Sequence, residues 1–175
     1  MRPARQGSLD GLCGVYAVIN ATSLALGLKR RSALQKDLFV QLTHGLGACA
    51  LLAAMDGGLD TQELVQASKA AFAWLEHEHG VRLAISQPYK TAKGWKISKF
   101  TDALRELLSA ADMGVILQVR LPNAHHWTVP YAISGRRLML RDSEGLSALI
   151  LSEFSIGRGS KRFIPVDTLI VRRLS

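Results

Sequence analysis

Hydrophobic positions along this chain follow two different rhythms. Up to about residue 112 they recur at helical spacing. The run Leu12–Gly27, LCGVYAVINATSLALG, is apolar on nearly every side and predicts a buried central helix that stops at Gly27. Ser32 reads as the N-cap of a second helix with Leu34, Leu38 and Leu42 four apart, ending near Gly45. A third runs from Asp60 or Thr61 to His79, with Leu64, Ala71, Phe72 and Leu75 on one face and Gly80 just past its end. A fourth follows Ser98, places Phe100, Leu104, Leu107, Leu108 and Ala111 on one side, and exits at Gly114.

Beyond Gly114 short β-rich runs replace the helices: GVILQVR, WTVPYAI, RRLMLRD, SALIL and TLIVRRL. Connections such as Ser134–Arg137 are too short for a crossover helix, so the strands should pair antiparallel. Pro130 interrupts the second run, and proline within a sheet belongs at an edge or a bulge. Helices followed by a meander of strands imply an α+β fold. Neither repeats nor a linker divide the 175 residues, which read as a single domain, 1–175. Ser86–Ser98 is the least regular stretch and reads as an exposed connection.

Composition narrows the class. The chain is 48% hydrophobic and 21% charged, ordinary for a globular domain. Its apolar runs look too short or too interrupted to cross a bilayer, and the longest, Gly45–Met55, reads as core. The basic N-terminus is followed by no apolar segment of a secretion signal, so a cytoplasmic location is expected, with a secreted effector as the alternative. A net charge of +8 favours encounter with nucleic acid, an anionic membrane surface or an acidic partner, and does not choose among them. Its clusters at Lys29–Arg31, Arg136–Arg137, Arg158–Arg162 and Arg172–Arg173 carry no interleaved aromatics, which argues against nucleic acid.

Candidate chemistry begins with the two cysteines. Neither Cys13 nor Cys49 lies in a C-x-x-C pair, and His77 and His79, two apart on a helix, share no face. No metal site and no cofactor are expected. Cys49, inside ACALLAAM, reads as core. Cys13 instead opens the first helix, where the dipole favours a thiolate. Gly11 and Gly14 beside it allow close approach of backbone or substrate. Gln6, in the polar loop upstream, offers an amide that with the Cys13 N–H could hold an oxyanion. A base and its orienting partner are then needed, and the sheet supplies His125 and His126 at one strand's mouth and Asp142 at the end of the next. His126 and Asp142 flank the Ser134–Gly135 turn almost symmetrically and should be cross-strand neighbours.

Glutamine, cysteine at a helix start, histidine followed by an aromatic, then aspartate: this order resembles the papain-like cysteine peptidases. The spacing from HHWTVPYAI to RDSEG is most similar to the bacterial peptidases that remove double-glycine leaders, and the His-Trp pair also resembles Josephin-type deubiquitinases. The resemblance implies a papain-like α+β fold, with the nucleophile's helix packed on a C-terminal antiparallel sheet. It implies Cys13 as nucleophile, His126 as base because Trp127 follows it, Asp142 as its partner and Gln6 as oxyanion donor. His125, Trp127, Gly11 and Gly14 would then border the substrate. The nearest acidic residue, Asp10, lies three positions before the cysteine, whereas in leader peptidases it is adjacent. The expected activity is thiol-dependent hydrolysis of a peptide or isopeptide bond in a peptide or protein substrate. Acyl transfer to an amine by the same triad, and an inactive basic binding module on the same fold, are the alternatives.

Overall fold

The computed structural model describes residues 11–28, 32–122 and 124–175. Gln6, Asp10 and the basic cluster at 29–31 therefore lie outside the described residues. Helix α1 (Cys13–Ala25) has no polar stripe and is buried around almost its whole circumference. It ends where Gly27 turns left-handed at φ +61°.

Helix α2 (Ala33–Gly57) is two helical segments joined at a kink, and the first closes within two residues of the stop expected near Gly45. Gly47, at φ 72° and ψ 164°, is the non-helical residue between them. Ser32 does precede it in extended backbone, but its hydroxyl caps nothing and is buried without a partner among the described residues. The stretch Gly45–Met55 is not core as expected: Cys49 and Met55 are exposed, and Leu52 is 68% exposed. The reason is geometric. A segment apolar on every side carries no signal of which side is covered, and past Gly47 it is Ala54 that turns fully inward. By length and composition Ala33–Met55 is also apolar enough to cross a bilayer, with a mean hydropathy of 1.6, contrary to the expectation that every apolar run is too short. Here it bends at Gly47 and packs along α3.

Helix α3 (Thr61–His79) matches its sequence signals at both ends. Asp60 accepts from the Gln62 and Glu63 N–H groups, Glu63 accepts from the Asp60 N–H, and Gly80 closes the helix in the left-handed conformation. The short strand β1 (Leu83–Ser86), absent from the sequence reading, follows it. The next connection is ordered by Tyr89 packing on Trp95 at 4.9 Å between rings, with Lys99 above the indole. Helix α4 (Ile97–Ser109) starts one residue before Ser98, which is therefore inside it. It ends before Ala111, which is exposed, and the chain then turns through Asp112 at φ 54°.

Gly114 is thus not a helix exit. It lies in strand β2 (Met113–Leu121), where α1 crosses so closely that a Cβ would stand 2.6 Å from both Cα and C of Ala21. Strands β3 (Ala124–Ser134), β4 (Arg137–Arg141) and β5 (Ala148–Ile150) form the expected meander, and β8 (Leu169–Arg173) returns beside β2. The order is β1-β8-β2-β3-β4-β5, with antiparallel neighbours throughout. Two small strands depart from the meander: β6 (Ser155–Ile156) pairs parallel with β7 (Arg162–Phe163), which lies antiparallel to β2. Among the described residues the fold is α+β, with four α-helices and an antiparallel sheet.

Alternation along the strands sorts the core into two faces. Ile116, Trp127, Val129, Leu169 and Val171 meet α1, α2 and α3. Val115, Leu117, Val119, Leu138 and Leu140 meet α4 and the aromatic group Phe100, Phe154 and Phe163. At 25 cal/mol per Å² each such buried side chain contributes about 1.5–3 kcal/mol, so both layers hold the sheet and α1 in fixed relation.

Candidate active site

Cys13 is the first residue of α1 and is nearly buried. What holds it there is the close approach of backbone. Gly11 donates its N–H to the Met55 carbonyl at 3.1 Å, and a Cβ on Gly11 would stand 2.6 Å from the Ala54 oxygen. Gly14 presses against Trp127 and Leu64. Both glycines thus admit protein atoms. Trp127 donates its indole N–H to Leu59 O at 3.0 Å, tying the α2–α3 connection across the start of β3. A cavity of about 290 Å³ remains between that connection and the sheet, lined by Cys13, Gly57, Gly58, Leu59, Asp60, Glu63, Gln118, His125 and Trp127.

His126 alternates with Trp127 on β3 and is buried. Its Nε2 lies 2.5 Å from Asp142 Oδ2, and the other carboxylate oxygen accepts from the Glu144 N–H at 2.8 Å and the Leu146 N–H at 3.2 Å. Asp142 is thus an Asx-type turn anchor and the partner of the ring at once. The two are cross-strand neighbours, as expected, in diagonal positions. Their alignment depends on an irregularity the sequence flagged only as a proline.

The hairpin starts with Ser134 opposite Arg137, Ile133 opposite Leu138 and Ala132 opposite Met139, but Pro130 then faces Leu140 and Val129 faces Arg141. The extra residue, Tyr131, makes a bulge. Without it the next pair would set Asp142 opposite Val129, whose side chain enters the core under α1. With it Asp142 falls opposite Thr128 and diagonal to His126, on one face. Deleting Tyr131 is expected to aim the carboxylate away from the ring, whereas Tyr131→Ala, which keeps the count, leaves the pair intact. The imidazole pKa, followed by NMR, is expected to fall toward its ordinary value of about 6.5 in the deletion alone.

Electrostatics follow from this geometry. Burial pushes the His126 pKa down, but hydrogen bonds to Asp142 and to the Cys13 thiol, with the charges of both, outweigh it and raise it to about 10. Burial likewise works against the Asp142 carboxylate, and the hydrogen bond from His126, the ring's charge and the Glu144 N–H keep its pKa below the usual range. With Nε2 committed to Asp142, Nδ1 is the nitrogen left for Cys13. Glu144 also approaches Nδ1, at 3.4 Å, from a half-exposed position.

The sign of the linkage is definite. A folded pKa raised from 6.5 to about 10 stabilises the fold fully below the unfolded value and loses that contribution as pH climbs to about 10. The lowered Asp142 pKa stabilises above the usual carboxylate value and fails as pH falls through the folded one. Denaturant midpoints are expected to be level from about pH 5 to 6.5 and to decline toward pH 10, and the alkaline decline should shrink in His126→Ala.

Three of the residues singled out by sequence, Cys13, His126 and Asp142, therefore come together, and Trp127 and His125 border the cavity. His125 itself turns its Nε2 to Arg120 at 3.1 Å. Gln6 falls outside the described residues. Sequence reasoning passed over Gln118 and Glu144. The signal for the first was a lone amide inside the apolar run GVILQVR. For the second it was an acidic residue two positions after the aspartate. Such an arrangement can pass a proton between a buried imidazole and a thiol at the edge of a cavity. No protein-family model matches the chain, and no curated protein sequence matches it significantly.

Proposed function

We propose that this chain is a thiol-dependent hydrolase of papain-like architecture that cleaves peptide or isopeptide bonds. The single observation that carries the reading is the buried His126 ring, fixed by Asp142 at 2.5 Å on one nitrogen and electrostatically coupled to Cys13. A structural histidine needs one partner. A ring with a buried carboxylate behind it and a cavity-lining thiol before it has the parts of a nucleophile and base in sequence.

In this mechanism the proton shared by Cys13 and His126 rests on Nδ1, as a thiolate–imidazolium pair, and the Asp142 carboxylate stabilises the imidazolium. The thiolate attacks the carbonyl carbon, forming the C–S bond as the carbonyl pair moves to oxygen. The Cys13 N–H at the start of α1 is one donor to that oxyanion, and the Gln6 amide is the second that the resemblance supplies. As the tetrahedral species collapses, the C–N bond breaks and Nδ1–H protonates the leaving amine. Water, deprotonated by His126, then opens the thioester, releasing the acid and restoring the thiol.

The reading is tested by incubating the protein with a diverse peptide mixture and sequencing the products by mass spectrometry. New carboxyl termini from the wild type and none from Cys13→Ala are expected. New amides formed with added methylamine, at the expense of acids, would instead assign acyl transfer.

A further inference from the structure

We propose that Gln118 is a catalytic residue, its side-chain amide donating a hydrogen bond to the oxyanion formed at Cys13. The proposal rests on the reading of Cys13 as nucleophile. It arises from asking which group in the cavity could stabilise negative charge.

Among the lining side chains, Asp60 and Glu63 are acidic, already serve the α3 cap, and would repel an oxyanion. The indole N–H of Trp127 is spent on Leu59 O, and the His125 ring is turned to Arg120. Gln118 remains. Its side chain has no hydrogen-bond partner among the described residues, and it lines the cavity together with Cys13.

Its placement is rigid. Gln118 pairs with Trp127 across β2 and β3, so both side chains stand on the face that α1 covers. Its own carbonyl accepts from the Ile164 N–H at 3.1 Å, which fixes the strand from the opposite edge. The flanking Leu117 and Val119 are buried in the other core. A half-buried amide that interrupts an apolar strand and faces the cavity shared with Cys13 is placed as a donor to a substrate oxygen. Gln118 transfers no proton: its N–H holds the oxyanion while the C–S bond forms, and releases it as the carbonyl reforms and the leaving group departs.

Two small probes separate this role from a structural one. Acylation by p-nitrophenyl acetate passes through a tetrahedral oxyanion and leaves an acetyl thioester on Cys13 as p-nitrophenolate departs. Alkylation by iodoacetamide displaces iodide at a saturated carbon and forms no oxyanion. In Gln118→Leu the burst of acylation is expected to fall about a hundredfold while the alkylation rate of Cys13 is unchanged. Gln118→Met, close in size and uncharged, should show the same split if the leucine variant packs poorly. An unchanged acylation rate in both variants, or equal losses with both probes, would overturn the role. Absence of acetyl on Cys13 in the wild type would overturn the nucleophile itself, a failure distinct because it needs no variant.

Discussion

Asp142→Ala is expected to cost both reactivity and stability, the former by a factor of about 10³–10⁴, as when the orienting acid of a triad is lost. The carboxylate is fully buried and serves three donors: His126 Nε2, the Glu144 N–H and the Leu146 N–H. Truncation leaves a buried ring and two backbone groups unpaired, at a cost of about 3–5 kcal/mol for breaking a buried pair. The His126 pKa is expected to fall from about 10, because burial then acts with less to oppose it. Asp142→Asn separates the effects. Its single carbonyl oxygen cannot serve both the ring and the two N–H groups, so part of the stability returns while thiol activation stays low. Chemical denaturation and the Cys13 alkylation rate, measured on the same samples, check both.

Gly114→Ala carries the second large effect, and it arises far from the thiol. The added methyl would overlap the backbone of Ala21, which is the middle of α1 and cannot step aside as a side chain could. The helix must shift off β2, loosening Ile116 and Val171 beneath it. Overpacking of this kind costs about 3 kcal/mol, or about 10 °C in Tm at this chain length. Gly57→Ala, which meets no atom within 4 Å, is the stability control and should stay near wild type. Because α1 carries Cys13 at its first residue, the Gly114 variant should also slow thiol alkylation in its folded fraction.

Legibility in the sequence tracked how local the determining physics is. The limits of α3 were readable to within one residue because a capping box at Asp60–Glu63 and a left-handed Gly80 act within one turn. The meander was readable because turns punctuate it. The course of α2 was not, since uniformly apolar sequence does not say which side is covered, and Cys49 was accordingly misplaced into the core. Gly114 looked like a stop signal, but its reason lies across the fold in Ala21. Strand β1, four residues at the sheet's edge, had too little pattern to register.

The same division runs through the site. Cys13, His126 and Asp142 were identifiable by residue type and order, and the hairpin made their meeting plausible. That Asp142 reaches the ring at all depends on the bulge at Tyr131, a one-residue shift that alternation alone does not reveal. Gln118 acquires meaning only when β2 is laid beside β3 and the start of α1.

The central claim is that Cys13 is an activated thiol, and the exposed Cys49 provides an internal reference for an ordinary one. The decisive measurement is the pH dependence of iodoacetamide labelling at each cysteine, resolved by mass spectrometry in the wild type and in His126→Ala. Cys13 is expected to react steadily near pH 6 and to lose that reactivity in His126→Ala, while the labelling of Cys49 is the same in both proteins. Slow labelling of Cys13 that climbs only above about pH 8 and ignores the loss of His126 would contradict the account.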